Sequence, residues 1–356
     1  MMRETGSAYW IDVKAKLQGT GTESLEGILT DAAAKGDMVT FMVYDLPNRD
    51  CNAHASNGEI CCKYNADLTC DYSYSGSCDE GLNEYKTEYI DVFAEIISRF
   101  DCLVDIALVI EPDSLPNLAT NLSNPSCQNS VQSYTEGITY AINTLSEAAP
   151  HATLYLDGAH GGWLGWADNM AAFVNIVSDL PYQKLRGFAT NVANYQPIGE
   201  MCPWQGGNDR NDYCLNNNNQ DKSCCEDPCN LSGEWNGAHN ELNYVQLMQK
   251  QMNTIGFDPK FIVDTGRNGV TDMRDNCANW CNIRDAGVGS FPTTNTGHAM
   301  IDAFLWLKTP GESDGCTELL PDSTFCPRFD DMCGSSDSLG SFSNEPRAPE
   351  AGHWFD

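Results

Sequence analysis

The sequence predicts an α/β fold: a distorted seven-stranded parallel β/α barrel, TIM-like, with long disulfide-stapled loops over the active-site face. Three observations lead there. Short apolar runs recur seven times along the 356 residues, helical patterns fall between them, and most runs end on an acid or another polar residue. Strands alternating with helices imply a parallel sheet. Seven strands in about 300 residues suit a closed or nearly closed barrel.

The runs are Ala8–Ile11, Met38–Val43, Ile106–Ile110, Thr153–Leu156, Leu185–Ala189, Phe261–Val263 and Ala303–Leu307. Each is short and rich in β-branched or aromatic residues, as expected of a strand buried on both faces. The spacing predicts a helix over Glu84–Phe100, where Tyr85, Tyr89, Val92, Phe93, Ile96, Ile97 and Phe100 recur at steps of three and four. Ser133–Ala148, Asn169–Ser178 and Glu241–Ile255 carry a similar period. Asp12, Asp45, Asp157 and Asp264 each close a run directly, and Glu111-Pro112-Asp113, Asn191 and Lys308 follow others. One such aspartate can simply start a loop or cap a helix. At the C-terminal ends of barrel strands, where active sites lie, the whole set predicts carboxylates gathered in one cleft.

Charge and cysteine content narrow the function. With 50 acidic and 20 basic residues the net charge is −30, which excludes nucleic acid and anionic membranes as partners. No apolar stretch approaches the roughly 20 residues that span a bilayer. The 17 cysteines point to disulfides, and so to a secreted, extracellular protein. No signal peptide opens the chain, so a secreted form is read here without its leader. Five cysteines lie in the irregular segment 51–83, five in 196–240 and three in 308–353. Each segment follows a strand and is expected to rise over the cleft. Cys225-Glu226-Asp227-Pro228-Cys229 has one zinc-like spacing without a clear second pair, so disulfides fit better than a metal. An odd count leaves at least one thiol without an internal partner, and Cys102, at the start of a buried strand, is the expected one. Cys316 and Cys326 share a loop and are expected to pair.

Paired carboxylates beside aromatic platforms point to glycoside chemistry, which needs one protonated carboxyl and a second carboxylate near the sugar. Asp113, behind a buried strand and Pro112, is the candidate acid, because desolvation and like-charged neighbours such as Asp50 and Asp157 keep its proton on. Trp163 and Trp166 stand among glycines that are expected to leave their indole faces open to sugar rings.

These residues lie in longer motifs. Tyr44-Asp45-Leu46-Pro47-Asn48-Arg49-Asp50-Cys51, Val109-Ile110-Glu111-Pro112-Asp113-Ser114-Leu115 and Tyr155-Leu156-Asp157-Gly158-Ala159-His160-Gly161-Gly162-Trp163-Leu164-Gly165-Trp166 come first. Arg186 to Tyr195, Trp280-Cys281-Asn282 and Lys308-Thr309-Pro310-Gly311-Glu312-Ser313-Asp314-Gly315 continue in order. The chain resembles glycoside hydrolase family six, the inverting cellulases, and within it the fungal-type cellobiohydrolase II catalytic domains. The likeness covers nearly all of residues 1–356 as one catalytic domain. The lead-in before the first strand, the final helix and any carbohydrate-binding module are not visible.

The resemblance implies roles. Asp113 matches the proton donor, and Asp50 the aspartate that raises the donor's pKa and organises the water. Asp157 matches a carboxylate near donor and sugar, and Asp314 the proposed base. Tyr44 matches a tyrosine that favours a distorted sugar, and Ser56 a loop serine that helps hold the water. Trp10 and Trp280 match platforms on the non-reducing side, Trp163 and Trp166 on the leaving-group side. His160, Asn191, Arg267, Lys308 and Glu312 match polar sugar contacts. Cys51 is expected to pair with Cys127, and Cys281 with Cys333. Where the family usually has Asp-Gln-Gly-Arg, this chain has Asp264-Thr265-Gly266-Arg267. The implied reaction hydrolyses β-1,4-glucosidic bonds of cellulose and cello-oligosaccharides with inversion, without metal or cofactor, in a monomer. The long loops after Asp50 and Asp314 favour a tunnel and exo-acting release of cellobiose from non-reducing ends. An open-cleft endoglucanase is the alternative, and a non-catalytic glycan-binding barrel a more distant one.

Overall fold

The computed structural model describes residues 5–53, 55–66, 68–204, 213–214, 218–315 and 328–340. Seven strands form one sheet in chain order: β1 (Tyr9–Ile11), β2 (Val39–Val43), β3 (Ile106–Ile110), β4 (Thr153–Asp157), β5 (Gly187–Thr190), β6 (Lys260–Asp264) and β7 (Ile301–Leu305). Every neighbouring pair is parallel. The sheet curls until its edges meet at a seam, where the Ala8 N–H reaches the Trp306 carbonyl (2.9 Å) and the Trp10 indole reaches the Leu307 carbonyl (2.9 Å). These contacts stand where a ladder would close a regular barrel, and they account for the expected distortion.

The strands are apolar on both faces because both faces are covered. Phe41, Leu108, Leu156, Phe188 and Phe261 point outward into a core shared with the helices. Met42, Val109, Tyr155, Ala189 and Ile262 point inward and fill the barrel. Two strands depart clearly from their expected bounds: β5 runs Gly187–Thr190 rather than Leu185–Ala189, and β7 runs Ile301–Leu305 rather than Ala303–Leu307. Asp264, at the end of β6, captures the next backbone groups: its Oδ1 accepts from Leu307 N (3.1 Å) and its Oδ2 from Lys308 N (2.9 Å). A side chain thus replaces the ladder partner, and β7 ends earlier.

The helices are α1 (Leu25–Lys35), α2 (Asp79–Glu84), α3 (Asp91–Ser98), α4 (Ser114–Thr120), α5 (Pro125–Asn129), α6 (Val131–Ala148), α7 (Gly161–Leu164), α8 (Ala167–Ser178) and α9 (Glu241–Met252). The helix expected over Glu84–Phe100 begins earlier and is interrupted by a π-helical segment, Tyr85–Ile90, between α2 and α3. The wider turn places the buried rings of Tyr85 and Tyr89 nearly parallel, 5.6 Å apart, facing the strand ends. Helix α1 was not apparent from periodicity, although its caps are present: Ser24 accepts from Gly27 N (3.1 Å), and Gly36 follows at φ 72°. Among the described residues no helix is long and apolar enough to cross a membrane.

Among the described residues, seven disulfides tie the loops. Cys51–Cys127 and Cys281–Cys333 are the pairs the resemblance implied, and Cys61–Cys70, Cys62–Cys78, Cys202–Cys224, Cys214–Cys225 and Cys229–Cys277 are additional. The Cys225–Cys229 spacing therefore serves two different bridges. Cys102 is free as expected, but it is exposed and lies in the turn ahead of β3 rather than in the strand. Cys316 and Cys326 lie outside the described residues. Cys51–Cys127 closes the longest loop, at a sequence separation of 76, and joins the segment after β2 to α5. Replacing both cysteines by alanine should lower stability by about 2–4 kcal/mol, seen as an earlier midpoint in guanidinium unfolding.

Candidate active site

The C-terminal strand ends surround a cavity of about 560 Å³. Its wall includes Trp10, Tyr44, Asp50, Ser56, Asp113, His160, Trp163, Trp280, Lys308, Glu312 and Asp314, drawn from well-separated segments of the chain. Four of the expected site residues, Asp157, Trp166, Asn191 and Arg267, are not part of that wall, and each has a different position.

Asp113 caps α4 in a left-handed conformation, φ 61°. Burial, and then the nearby charge of Asp314, push its carboxyl up to about 7. Asp157 lies beneath it, 1% exposed, and accepts the Asp113 backbone N–H at 3.1 Å. Burial and the neighbouring Asp113 raise Asp157 well above the usual carboxylate range. Asp50 is raised by the same two causes, burial first and Asp113 second.

Asp314 is the opposite case. Burial alone would push it up, but two cations reverse the sign. Arg267 Nη1 meets Oδ2 at 2.5 Å and Lys308 Nζ meets Oδ1 at 3.0 Å, which holds the carboxyl well below its ordinary range. Arg267 therefore stands behind Asp314 rather than in the wall. Lys308 also pairs with Glu312 at 3.3 Å and lies 5.6 Å from the Trp10 ring centre. Asp314 is thus firmly ionised, while Asp50, Asp113 and Asp157 resist ionisation.

The aromatic groups are anchored by their polar edges. The Trp163 indole donates to Thr120 Oγ1 (2.8 Å) and the Trp166 indole to the Glu234 carbonyl (2.9 Å). The glycines around them serve packing more than ring exposure. A Cβ on Gly161 would lie 2.0 Å from the Ala238 carbonyl, and one on Gly162 2.2 Å from Gln196 Nε2. Asn191 is wholly buried: its amide donates to the Asp264 carbonyl (3.0 Å) and accepts from Gln196 N (3.1 Å). It braces the loop after β5. Burial, with help from Arg274, pushes His160 down to about 3, so its ring is neutral and serves as a hydrogen-bonding group.

Several structural residues were not singled out in the sequence. Arg49, 3% exposed, covers the Tyr44 ring at 4.1 Å and donates to the Ser56 carbonyl (2.8 Å), fastening the serine loop to the strand ends. Glu111 accepts from the backbone of Asp45 (3.2 Å) and Leu46 (3.3 Å) and from the Tyr85 hydroxyl (2.7 Å). Asn282 accepts from Asp314 N (2.8 Å) and donates to the Asp314 carbonyl (3.0 Å), fixing the backbone of the ionised aspartate. All three lie inside motifs already quoted. Position in a motif was the available signal; the partners of Glu111 and Asn282 are distant in sequence, while Tyr44 and Ser56 stand near Arg49 in the chain.

Fold and site together define an α/β barrel of the glycoside-hydrolase class, with a protonatable acid facing an anchored carboxylate between tryptophans. The profile of Glycosyl hydrolases family 6 matches residues 1–356, and the chain belongs to that family. Exoglucanase 3 of Agaricus bisporus is 38% identical over 351 residues, 97% of this chain and 66% of that protein. The chain thus spans about two thirds of that relative. Among solved structures, the CcCel6A catalytic domain complexed with p-nitrophenyl β-D-cellotrioside superposes with a TM-score of 0.76 at 34% identity, covering 99% of this chain and 84% of that one. Cellobiohydrolase II (Cel6A) of Humicola insolens, complexed with glucose and cellotetraose, gives 0.74 at 32% identity, covering 99% and 85%.

The raised carboxyls have a stability consequence. A carboxyl whose folded pKa exceeds its unfolded value of about 3.9 weakens the fold increasingly as pH rises from there to the folded pKa. Asp50→Asn removes one such group, and asparagine tolerates the left-handed backbone, φ 62°, at this position. The variant should melt about 2–4 °C above the parent at pH 8, and the gap should close near pH 3.5. Thermal unfolding at the two pH values measures both.

Proposed function

We propose that this chain hydrolyses β-1,4-glucosidic bonds of cellulose and cello-oligosaccharides with inversion, releasing cellobiose from non-reducing ends. The observation that carries this reading is the pairing of Asp113, held protonated to about 7, with Asp314, held ionised by Arg267 and Lys308. Asp113 delivers its proton to the glycosidic oxygen as that bond breaks. A water attacks the anomeric carbon from the opposite face and loses its proton toward Asp314, directly or through Ser56 and a second water. Burial and the negative charge of Asp314 disfavour loss of the donor's proton, and Tyr44 packs under the sugar being cleaved. Trp10 and Trp280 bind the chain on one side of the break, Trp163 and Trp166 on the other. His160, Lys308 and Glu312 supply polar contacts, and the buried His160 Nδ1, with no protein partner among the described residues, suits a sugar hydroxyl.

Exo action is supported by the disulfide-tied loop after Asp50 and by the likeness to an exoglucanase and a cellobiohydrolase. The disulfides support work outside the cell by a secreted protein, proposed as a monomer with one catalytic domain.

Asp113→Asn should lower kcat on cellohexaose at least about 10²–10⁴-fold while oligosaccharide binding, followed by tryptophan fluorescence, stays near normal. Near-normal turnover would remove Asp113 as the acid. Anomer-resolved products from cellohexaose should be mainly α-cellobiose, and carboxymethyl cellulose should lose viscosity slowly. Rapid viscosity loss with little cellobiose would favour an endoglucanase. Because the donor works protonated, kcat should fall as pH rises through about 7.

A further inference from the structure

A second cluster of reactive side chains lies at the other end of the barrel. Asp101 and Cys102 occupy the turn between α3 and β3, and His151 the turn between α6 and β4. Both turns precede strands, so they lie on the face opposite the cavity. Cys102 is the free thiol of the described chain, exposed and in a left-handed conformation, φ 67°.

Three donor atoms converge there. His151 Nδ1 lies 2.8 Å from Asp101 Oδ2 and 3.1 Å from Cys102 Sγ, and that sulfur lies 3.8 Å from the same carboxylate oxygen. The other carboxylate oxygen, Oδ1, accepts the His151 backbone N–H at 3.1 Å, which orients Oδ2 toward the centre. A catalytic relay needs the acid on one imidazole nitrogen and the thiol on the other. Here both contact Nδ1, and the sulfur is 3.9 Å from Nε2, so the arrangement is not a relay.

It is the arrangement of a chelate. Zinc bonds of about 2.0 Å to nitrogen and oxygen and 2.3 Å to sulfur place tetrahedral ligands roughly 3.3–3.6 Å apart. The three observed separations lie within about half an ångström of that range, and because the sulfur stands to the side of the ring, the thiol or the imidazole must also rotate to share a metal. One thiolate, one imidazole and one carboxylate form a mixed set that matches a borderline-soft cation better than calcium or magnesium.

We propose that Asp101, Cys102 and His151 form a zinc site that clasps the turns before β3 and β4, with solvent as fourth ligand and no part in hydrolysis. The thiol proton passes to solvent as the sulfur–zinc bond forms. Zinc would bridge two segments 49 residues apart in sequence, and would shield a thiol otherwise open to oxidation.

The test uses the full chain with Cys102 reduced and zinc chloride as the probe. Calorimetry should give one zinc per chain, and zinc should slow labelling of the free thiol by Ellman's reagent at least about tenfold. Cys102→Ser and His151→Ala should each weaken binding at least about tenfold, since losing a ligand costs no less than losing its outer support. Both variants should keep parental cellohexaose turnover, which also shows that they fold. Zinc binding unchanged in both variants, or labelling indifferent to zinc, would overturn the proposal. So would recovery of the chain as a Cys102-linked dimer that takes up zinc only elsewhere.

Discussion

Several carboxyls sharing one poorly hydrated cavity cannot all be charged. Each charge must be desolvated and must face its like-charged neighbours, so most of the set keeps its protons unless cations intervene. The protein sets two cations directly against one member, Asp314. Arg267 and Lys308 both reach Asp314, whereas burial and the charge of Asp314 act together to hold the proton on Asp113. One asymmetry thus separates an anion from an acid in the same space. Much of the surrounding structure serves it. Asp264 holds the backbone of Lys308, Asn282 holds the backbone of Asp314, and Asp157 holds the backbone of Asp113.

That arrangement is held against local strain. Asp50, Glu111, Asp113, Ala159, Asn191 and Ala193 all have positive φ, and all follow strands that open onto the cavity. Such conformations cost on the order of 1–3 kcal/mol each outside glycine and persist where surrounding contacts over-determine them. Buried hydrogen bonds from Glu111, Asn191 and Asp157, together with the disulfides, supply those contacts. Two of these positions, Asp50 and Asp113, carry carboxyls into the cavity, where the chain must turn sharply to aim short side chains at one point.

Much of this was legible in the sequence. Both-face burial writes itself as an uninterrupted apolar run, so most of the strands were found close to their true positions. The acids at their ends were visible too, and the motifs separated Asp50, Asp113, Asp157 and Asp314 from the rest. What was hidden depends on contacts between distant residues. The end of β7 is set by Asp264 across the sheet, and the π segment at Tyr85–Ile90 by the need to reach Glu111 and the β1 end. Gly161 and Gly162 look in one dimension like room for open indole faces and prove to be close-packing points in three. Asn191 reads as a sugar contact and serves as a brace. No local pattern announces that Asp101 and His151, 50 residues apart, converge with Cys102.

The central claim is that environment, not residue type, divides the aspartates into an acid and an anion. A carbon-13 NMR titration of the aspartate side-chain carboxyls, assigned with Asp113→Asn and Asp314→Asn, measures that division directly. The account predicts that the Asp113 signal titrates near 7 and that Asp314 stays ionised through the acid range. An Asp113 that titrates with ordinary aspartates near pH 4, or an Asp314 that protonates with them, would contradict it.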